Sequence, residues 1–317
     1  RHILSPFIFV NICLTLKNLS IKHRFFHNQL EFIEVFKERG GFDLIVGNPP
    51  WVSIKMDEAG LLSERNPEIF IRKMSAPKVK KLTESILLDN PDVKISYNEE
   101  FIWAESIKEF LGSIQNYPLI IGQRNNLYKN VVSNSFNLCA KNGFIGLLHP
   151  DGIFDDPSGR PFRIELYKRL IFHFQFRNEL NLFMEVDHTK SYSINIYRGE
   201  SSIISFDTIN NLFHPSTIDG SYVHSGIGFC EGFKNIDEKQ GKLTWNTSPH
   251  NDRIIQFNND KLNVISQTFE DTMDGSGTKL VSIHSKQIID VLQKIKFVSK
   301  FHIVPRPDYI NSFKMLD

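Results

Sequence analysis

Phe42-Asp43-Leu44-Ile45-Val46-Gly47 runs without a break into Asn48-Pro49-Pro50-Trp51. A short apolar run closed by glycine reads as a buried parallel strand ending in a loop. In open α/β sheets, the loop at the carboxyl end of such a strand is where ligands bind. Pro49 and Pro50 fix φ and remove two backbone donors, so this loop is stiff and presents carbonyls. Proline also biases the residue before it toward extended geometry, which suits a strand end.

Working upstream, residues 25–36 hold the apolar run Leu30, Phe32, Ile33, Val35 and Phe36, which we read as strand-like or buried, before the turn Arg39-Gly40-Gly41. The stretch Ile3–Leu16 is apolar but broken by Ser5, Pro6 and Asn11. It is shorter than the ~20 residues a membrane span needs and lacks the cleavage site of a signal peptide, so a buried helix or strand is expected.

Downstream, residues 55–100 are mixed and charged and predict helical surface, an insertion at the site. The knot Lys78, Lys80, Lys81 reads as a solvated face or as a contact to a phosphate backbone. Residues 124–141 predict a helix with Leu127, Val131 and Leu138 near one stripe, Tyr128, Val132 and Cys139 beside it, and Lys141-Asn142-Gly143 as its stop. A second buried strand follows at Phe144–Leu148, ending in His149-Pro150-Asp151-Gly152. Asp156 or Ser158 is placed to cap a helix in which Phe162, Leu166 and Leu170 recur. Residues 172–186 and 191–198 alternate like strands about the turn 187–190, predicting an antiparallel hairpin at one edge of the sheet. Beyond about residue 205 the text is polar and loop-rich, and only 287–297 looks helical, with Ile288, Val291, Leu292 and Ile295 on one side. We place a boundary there: 1–205 as a partial catalytic domain, 206–317 as a linker and the start of a target-recognition region.

Lys plus Arg number 37 and Asp plus Glu 36, a net charge of +1, so any nucleic-acid surface must be local. Cys13, Cys139 and Cys230 are far apart and no Cys/His cluster has zinc spacing, which suggests neither a disulfide framework nor a metal site and suits a reducing cytoplasm.

The chemistry open to Asn48–Trp51 follows from its groups. An aromatic exocyclic amine has its lone pair delocalised into the ring. Two acceptors on its two N–H bonds favour the tetrahedral nitrogen of an alkylation transition state. The Asn48 side-chain oxygen is one such acceptor and the Pro49 carbonyl the other. Trp51 offers a face on which an extruded base can stack. The alternative is a strand closed by a stiff turn with an anchoring tryptophan.

FDLIVGNPPW resembles motif IV of the amino-methyltransferases, and residues 25–200 resemble the large adenine-specific methylases of type IIG and related restriction–modification and phage-defence systems. The resemblance rests also on NNLYKNVVSNSFNLCAKNGF, FIGLLHPDGIF and FQFRNELNLF…YSINIY. It implies an α/β fold with a partial class I, Rossmann-like methyltransferase sheet, S-adenosylmethionine as donor, and adenine N6 in double-stranded DNA as acceptor. Restriction or defence subunits are the other partners it implies. Asn48, Pro49, Pro50 and Trp51 carry the family's motif. The family's second base-stacking aromatic falls near His188, with Tyr192 as the fallback; a surface turn is the other reading of His188. The family's glycine-rich donor loop lies upstream of motif IV, yet no Gly-x-Gly occurs between Arg1 and Gly40. Gly226-Ile227-Gly228 and Gly275-Ser276-Gly277 stand on the wrong side and read as loops. We therefore expect a fragment without the donor loop, its cofactor residues unassigned. Two alternatives stay open: an inactive fragment that serves as a DNA-binding or assembly module, and a methylase of another planar nitrogen (cytosine N4, rRNA guanine N2, protein glutamine).

Overall fold

The structure, a computed structural model, describes residues 6–24, 26–236 and 241–295. Helix α1 (Pro6–His23) is followed by two short helices, α2 (Asn28–Glu31) and α3 (Ile33–Arg39), and then by strand β1 (Phe42–Gly47). The strand-like reading of 25–36 is therefore corrected to helix: the apolar residues there fall three and four apart as readily as two. Leu30, Phe32 and Ile33 are exposed, and so is the described face of α1 at Leu14, Leu16, Leu19 and Ile21, against the expected burial. Phe25 and Ile3–Ser5 lie outside the described residues. Gly40 ends α3 in the left-handed conformation, with its N–H on the Phe36 carbonyl. At Gly41 a Cβ would lie 2.5 Å from the Leu138 carbonyl, so only glycine lets β1 start this close to its neighbour.

After β1 come α4 (Glu58–Ser63), α5 (Glu68–Ile71), α6 (Ala76–Asp89) and α7 (Pro91–Gly112), as the charged text predicted. They share a small core of Leu62, Ile69, Val79, Ile86 and Val93. Lys78, Lys80 and Lys81 are exposed.

Helix α8 (Leu127–Leu138) leads directly into β2 (Cys139–Pro150). It ends earlier than predicted: Lys141–Gly143 lies in a bulge where Phe42 pairs with Cys139 but Leu44 already pairs with Phe144. Its buried side is Tyr128, Val132 and Ser135 rather than Leu127, Val131 and Leu138, and Val131 is exposed. Next are α9 (Gly152–Asp155), α10 (Arg160–Tyr167), β3 (Leu170–Arg177) and β4 (Ser191–Arg198). Neither Asp156 nor Ser158 caps α10, whose N-cap is Gly159. Asp156 instead accepts from the Ser158 N–H and from the Lys129 ammonium. The remaining elements are β5 (Ser205–Leu212), α11 (Ser216–Val223), β6 (Lys234–Ile236), β7 (Leu243–Trp245), β8 (Ile255–Asn258), α12 (Asn259–Ile265) and α13 (Lys286–Ile295). Helix α13 stands where it was predicted, but Ile289 and Leu292 face the core while Ile288 and Val291 are exposed. Residues 296 and 297 of that reading lie outside the described residues.

Six strands form one mixed sheet in the order β1-β2-β4-β3-β5-β8. β1 runs parallel to β2 and β3 parallel to β5, while β4 is antiparallel to both β2 and β3. The β3–β4 hairpin is present, but β4 is inserted inside the sheet rather than laid along its edge. The fold is α/β and Rossmann-like, with a reversed strand among parallel ones. The sheet continues past residue 205, since β5 and β8 extend it and Phe206, Phe257, Leu262 and Ile289 belong to the main core.

β2 alternates strictly: Gly143, Ile145, Leu147 and His149 point into the main core, beneath Tyr128 and Val132 of α8 and Phe162 and Leu166 of α10. The opposite face carries a second cluster of Phe176, Tyr192, Ile209 and Leu212. β1 is parallel as predicted but not buried, for Leu44 is 65% and Val46 73% exposed. It is the terminal strand of the sheet, so its outer edge has no strand partner among the described residues.

Candidate functional site

β1, β2, β3 and β5 all point the same way, so Asn48, Asp151, Asn178 and Phe213 gather on one rim of the sheet. The corner at residues 48–51 stands at the end of this rim. Asn48 and Pro50 are exposed, Pro49 is buried and Trp51 is half-buried. Asn48 makes no hydrogen bond to the described residues, which leaves its side-chain oxygen open to a ligand.

The corner is tied down where the helical insertion leaves and returns. The Leu127 N–H donates to the Val52 carbonyl at 2.9 Å, and the Ser53 hydroxyl to the Asn125 carbonyl at 2.6 Å. The Trp51 indole N–H faces the Leu148 carbonyl at a long 3.4 Å. The Trp51 ring lies 5.8 Å from Tyr192 and 5.9 Å from Phe183, and Tyr192 stacks on Phe176 at 5.5 Å. Such ring contacts are worth about 0.5–1.5 kcal/mol each beyond their buried area.

Of the residues expected from sequence, Asn48, Pro49, Pro50, Trp51 and Tyr192 are brought together. His188 is not: its ring is exposed, 3.5 Å from the Glu179 carboxylate, in the turn that sequence allowed it. Sequence reasoning missed Phe183, which meets Trp51 beside Tyr192. Its position is set by Asn178, fully buried at the end of β3. The Asn178 amide donates to the carbonyls of Phe183 (2.8 Å) and Val186 (2.6 Å), and its oxygen accepts from the Phe183 N–H (3.1 Å). The usable signal was an Asx-type residue closing a strand, five positions before a lone aromatic. Asn178→Ala removes all three bonds and should cost about 2–4 kcal/mol. Denaturant melts of the two proteins check this, and an unchanged midpoint would contradict it.

A buried polar chain supports the rim from beneath. His149 accepts at Nε2 from the Tyr197 hydroxyl (3.0 Å) and the Asn195 amide (3.0 Å), which puts its proton on Nδ1, toward the Pro150 carbonyl. The Asn195 oxygen then accepts from His173 Nδ1 at 2.8 Å. Burial pulls the His149 imidazole down to about 4, so the ring is neutral. Asp151, the next rim residue but one, takes a hydrogen bond from Gln175 on Oδ2 and leaves Oδ1 buried without a partner.

The two Gly-x-Gly runs named from sequence do not form a phosphate- or donor-binding loop. Gly275 and Gly277 are spent on internal packing, since a Cβ would lie 2.3 Å from the Leu262 backbone and 2.8 Å from the Arg160 carbonyl. Gly226 and Gly228 lie in coil and open no helix. No helix among the described residues is long and apolar enough to cross a membrane, and none of their His, Cys, Asp or Glu groups could hold a metal ion.

Residues 7–76 match the model of the Eco57I restriction-modification methylase family. No curated protein matches the chain. Among solved structures, similarity is found to the ATP-dependent Type ISP restriction-modification enzyme LlaBIII bound to DNA, at 13% identity and a TM-score of 0.29 over 55% of this chain and 10% of that one. The DrdV–DNA complex aligns at 11% identity and a TM-score of 0.32, over 56% of this chain and 16% of that one. The M protein of the type I restriction enzyme EcoKI aligns at 11% identity and 0.27, over 59% of this chain and 42% of that one. The chain thus spans less than half the length of each, and at these scores the overlays carry no argument about the site. Over residues 7–76, with Asn48–Trp51 inside them, the chain is similar to the Eco57I restriction-modification methylase family.

Proposed function

We propose that this chain is the acceptor-binding part of a DNA methyltransferase that methylates the N6 amino group of adenine within a restriction–modification or defence system. The observation that carries the reading is the state of the corner: an exposed, unengaged Asn48 oxygen beside a proline pair at the carboxyl end of a parallel strand. S-adenosylmethionine would supply the electrophilic methyl group when bound; Asn48 and the Pro49 carbonyl form the acceptor side.

On that side, Asn48 and the Pro49 carbonyl each accept one N–H of the amine. Their hydrogen bonds strengthen as the nitrogen becomes tetrahedral and its protons more acidic, so they favour the transition state over the ground state. The corner cannot relax to follow an ill-placed amine, because its prolines and the Val52 and Ser53 hydrogen bonds hold it. Adenine reaches it by extrusion from the duplex, which costs a few kcal/mol and is offset by stacking. Trp51, braced by Phe183 and Tyr192, supplies the rigid aromatic wall.

The test is incubation of the chain with labelled S-adenosylmethionine and duplex DNA, followed by chromatography of the hydrolysed bases. Label on N6-methyladenine supports the reading. Label on N4-methylcytosine, or no label in DNA, overturns it.

A further inference from the structure

A cavity of about 200 Å³ lies between the segments 224–231 and 246–253, and the chemistry of the corner makes no use of it. It is smaller than the roughly 300–1,000 Å³ of sites that take whole cofactors, so its occupant is one small group. Arg253 lines it and is 1% exposed. Its Nη2 donates to the carbonyls of Asn210 (3.1 Å) and Asn211 (3.0 Å) and its Nη1 to that of Ser248 (3.4 Å), but Nε is buried without a partner. No carboxylate among the described residues lies within ion-pair distance of it. A buried guanidinium without a counter-charge is costly, and an anion would offset that cost.

The two histidines on the lining have the same bias. His250, 5% exposed, accepts the Asp252 N–H on Nδ1 at 3.1 Å, which leaves Nε2, buried and unpartnered, as its N–H donor. His224, 4.4 Å from it ring to ring, accepts the Gly226 N–H on Nδ1 at 3.0 Å and so also presents an Nε2–H. Asp252 is 3.8 Å from the rear nitrogen of His250 and is engaged by Lys286 and Gln287. Glu231, the only acidic side chain on the lining, is exposed at the mouth. The mouth also carries Ile227 and Phe229, the latter 95% exposed.

We propose that this cavity is a phosphate-binding site, which on the reading above takes a phosphodiester of the DNA backbone. Two buried and unpartnered N–H groups, the Arg253 Nε–H and the His250 Nε2–H, belong to residues that line this cavity beside His224, and such a donor set, one of them cationic, suits a phosphate. The exposed apolar lip suits a phosphate that arrives attached to a sugar and base. Position agrees as well. Arg253 is anchored on the end of β5, on the same rim as Asn48 and four strand spacings from β1. At ~4.8 Å per spacing the separation is about 19 Å, or roughly five to six base pairs along a duplex.

The experiment follows the side-chain N–H resonances of His250 and Arg253 in the whole chain, titrated with inorganic phosphate and with duplex DNA. Duplex affinity is measured beside it for the native chain, His250→Phe and His250→Gln. Both titrants should shift the two resonances. His250→Phe should weaken binding to unrelated duplexes alike, by about tenfold, with melting unchanged, and His250→Gln, which keeps a donor, should stay within about threefold. If phosphate shifts the resonances but a folded His250→Phe binds DNA normally, the site holds an adventitious ion only and the backbone assignment falls. If neither titrant shifts them, the site itself falls, whether or not the variants fold. Loss of DNA methylation with these shifts intact would sink the methylase reading alone.

Discussion

Asn48→Ala should lower methyl transfer to DNA by about 10²–10³-fold and leave the melting temperature where it was. The rate effect is that of deleting one preorganised partner of a developing charge, which typically costs about 3–4 kcal/mol of transition-state stabilisation. The silence in stability follows from the structure: Asn48 is exposed and bonded to nothing described, and such surface changes stay within about 0.5 kcal/mol. Comparison of single-turnover rates and thermal melts decides the matter. A native-like rate would remove Asn48 from the chemistry, and a large loss of stability would make it a structural residue. Trp51→Ala is a poorer probe, because the ring packs on Phe183 and Tyr192 and its loss would disturb the fold as well as the base pocket.

Acidification from pH 7 to pH 5 should destabilise the protein by about 4 kcal/mol. Burial pulls both His149 and His284 down to about 4 in the folded chain, whereas unfolded histidine titrates near 6.5. Between those values the unfolded state takes up protons that the folded state refuses, so stability is whole above 6.5 and is lost as the pH falls toward 4. At pH 5 each ring has spent about 1.5 units of this difference, about 2 kcal/mol. The cause at His149 is burial, and the Asn195 amide donor facing Nε2 opposes a second proton there. Asp156 and Glu165, held low by Lys129 and by Lys168 and Arg169, lose their contribution only at more acid pH. Asp155, raised by burial, works in the opposite direction. Urea melts at the two pH values, with His149→Asn removing about half the difference, provide the check. Equal stability at pH 7 and pH 5 would contradict the argument. A loss of this size is a large share of the 5–15 kcal/mol typical of a domain.

What could be read in advance was local and periodic. β1 and its proline corner are contiguous in sequence, and the alternation of β2, β3 and β4 survives folding almost unchanged. Residues 25–36 misled because a run of bulky apolar residues fits strand and helix alike, and the two helices formed by 28–39 bury none of them. Helices α8 and α13 were found but turned by about one position, since Tyr128 and Ile289, rather than Val131 and Ile288, meet the core. At the site, Tyr192 could be named because the resemblance implies an aromatic beside the hairpin's second strand, whereas Phe183 sits in a loop whose shape depends on one buried asparagine. The phosphate cavity left no trace in sequence, for His224, His250 and Arg253 share no motif and line one cavity only once segments 224–231 and 246–253 are folded together.

The most direct measurement is the distance from the Asn48 Oδ1 to the nearest base nitrogen in a crystal structure of the chain with duplex DNA. The account predicts one adenine turned out of the helix, with N6 about 2.9 Å from Asn48 Oδ1 and from the Pro49 carbonyl. A duplex bound along the rim with every base still stacked, or a different base in the corner, would contradict it.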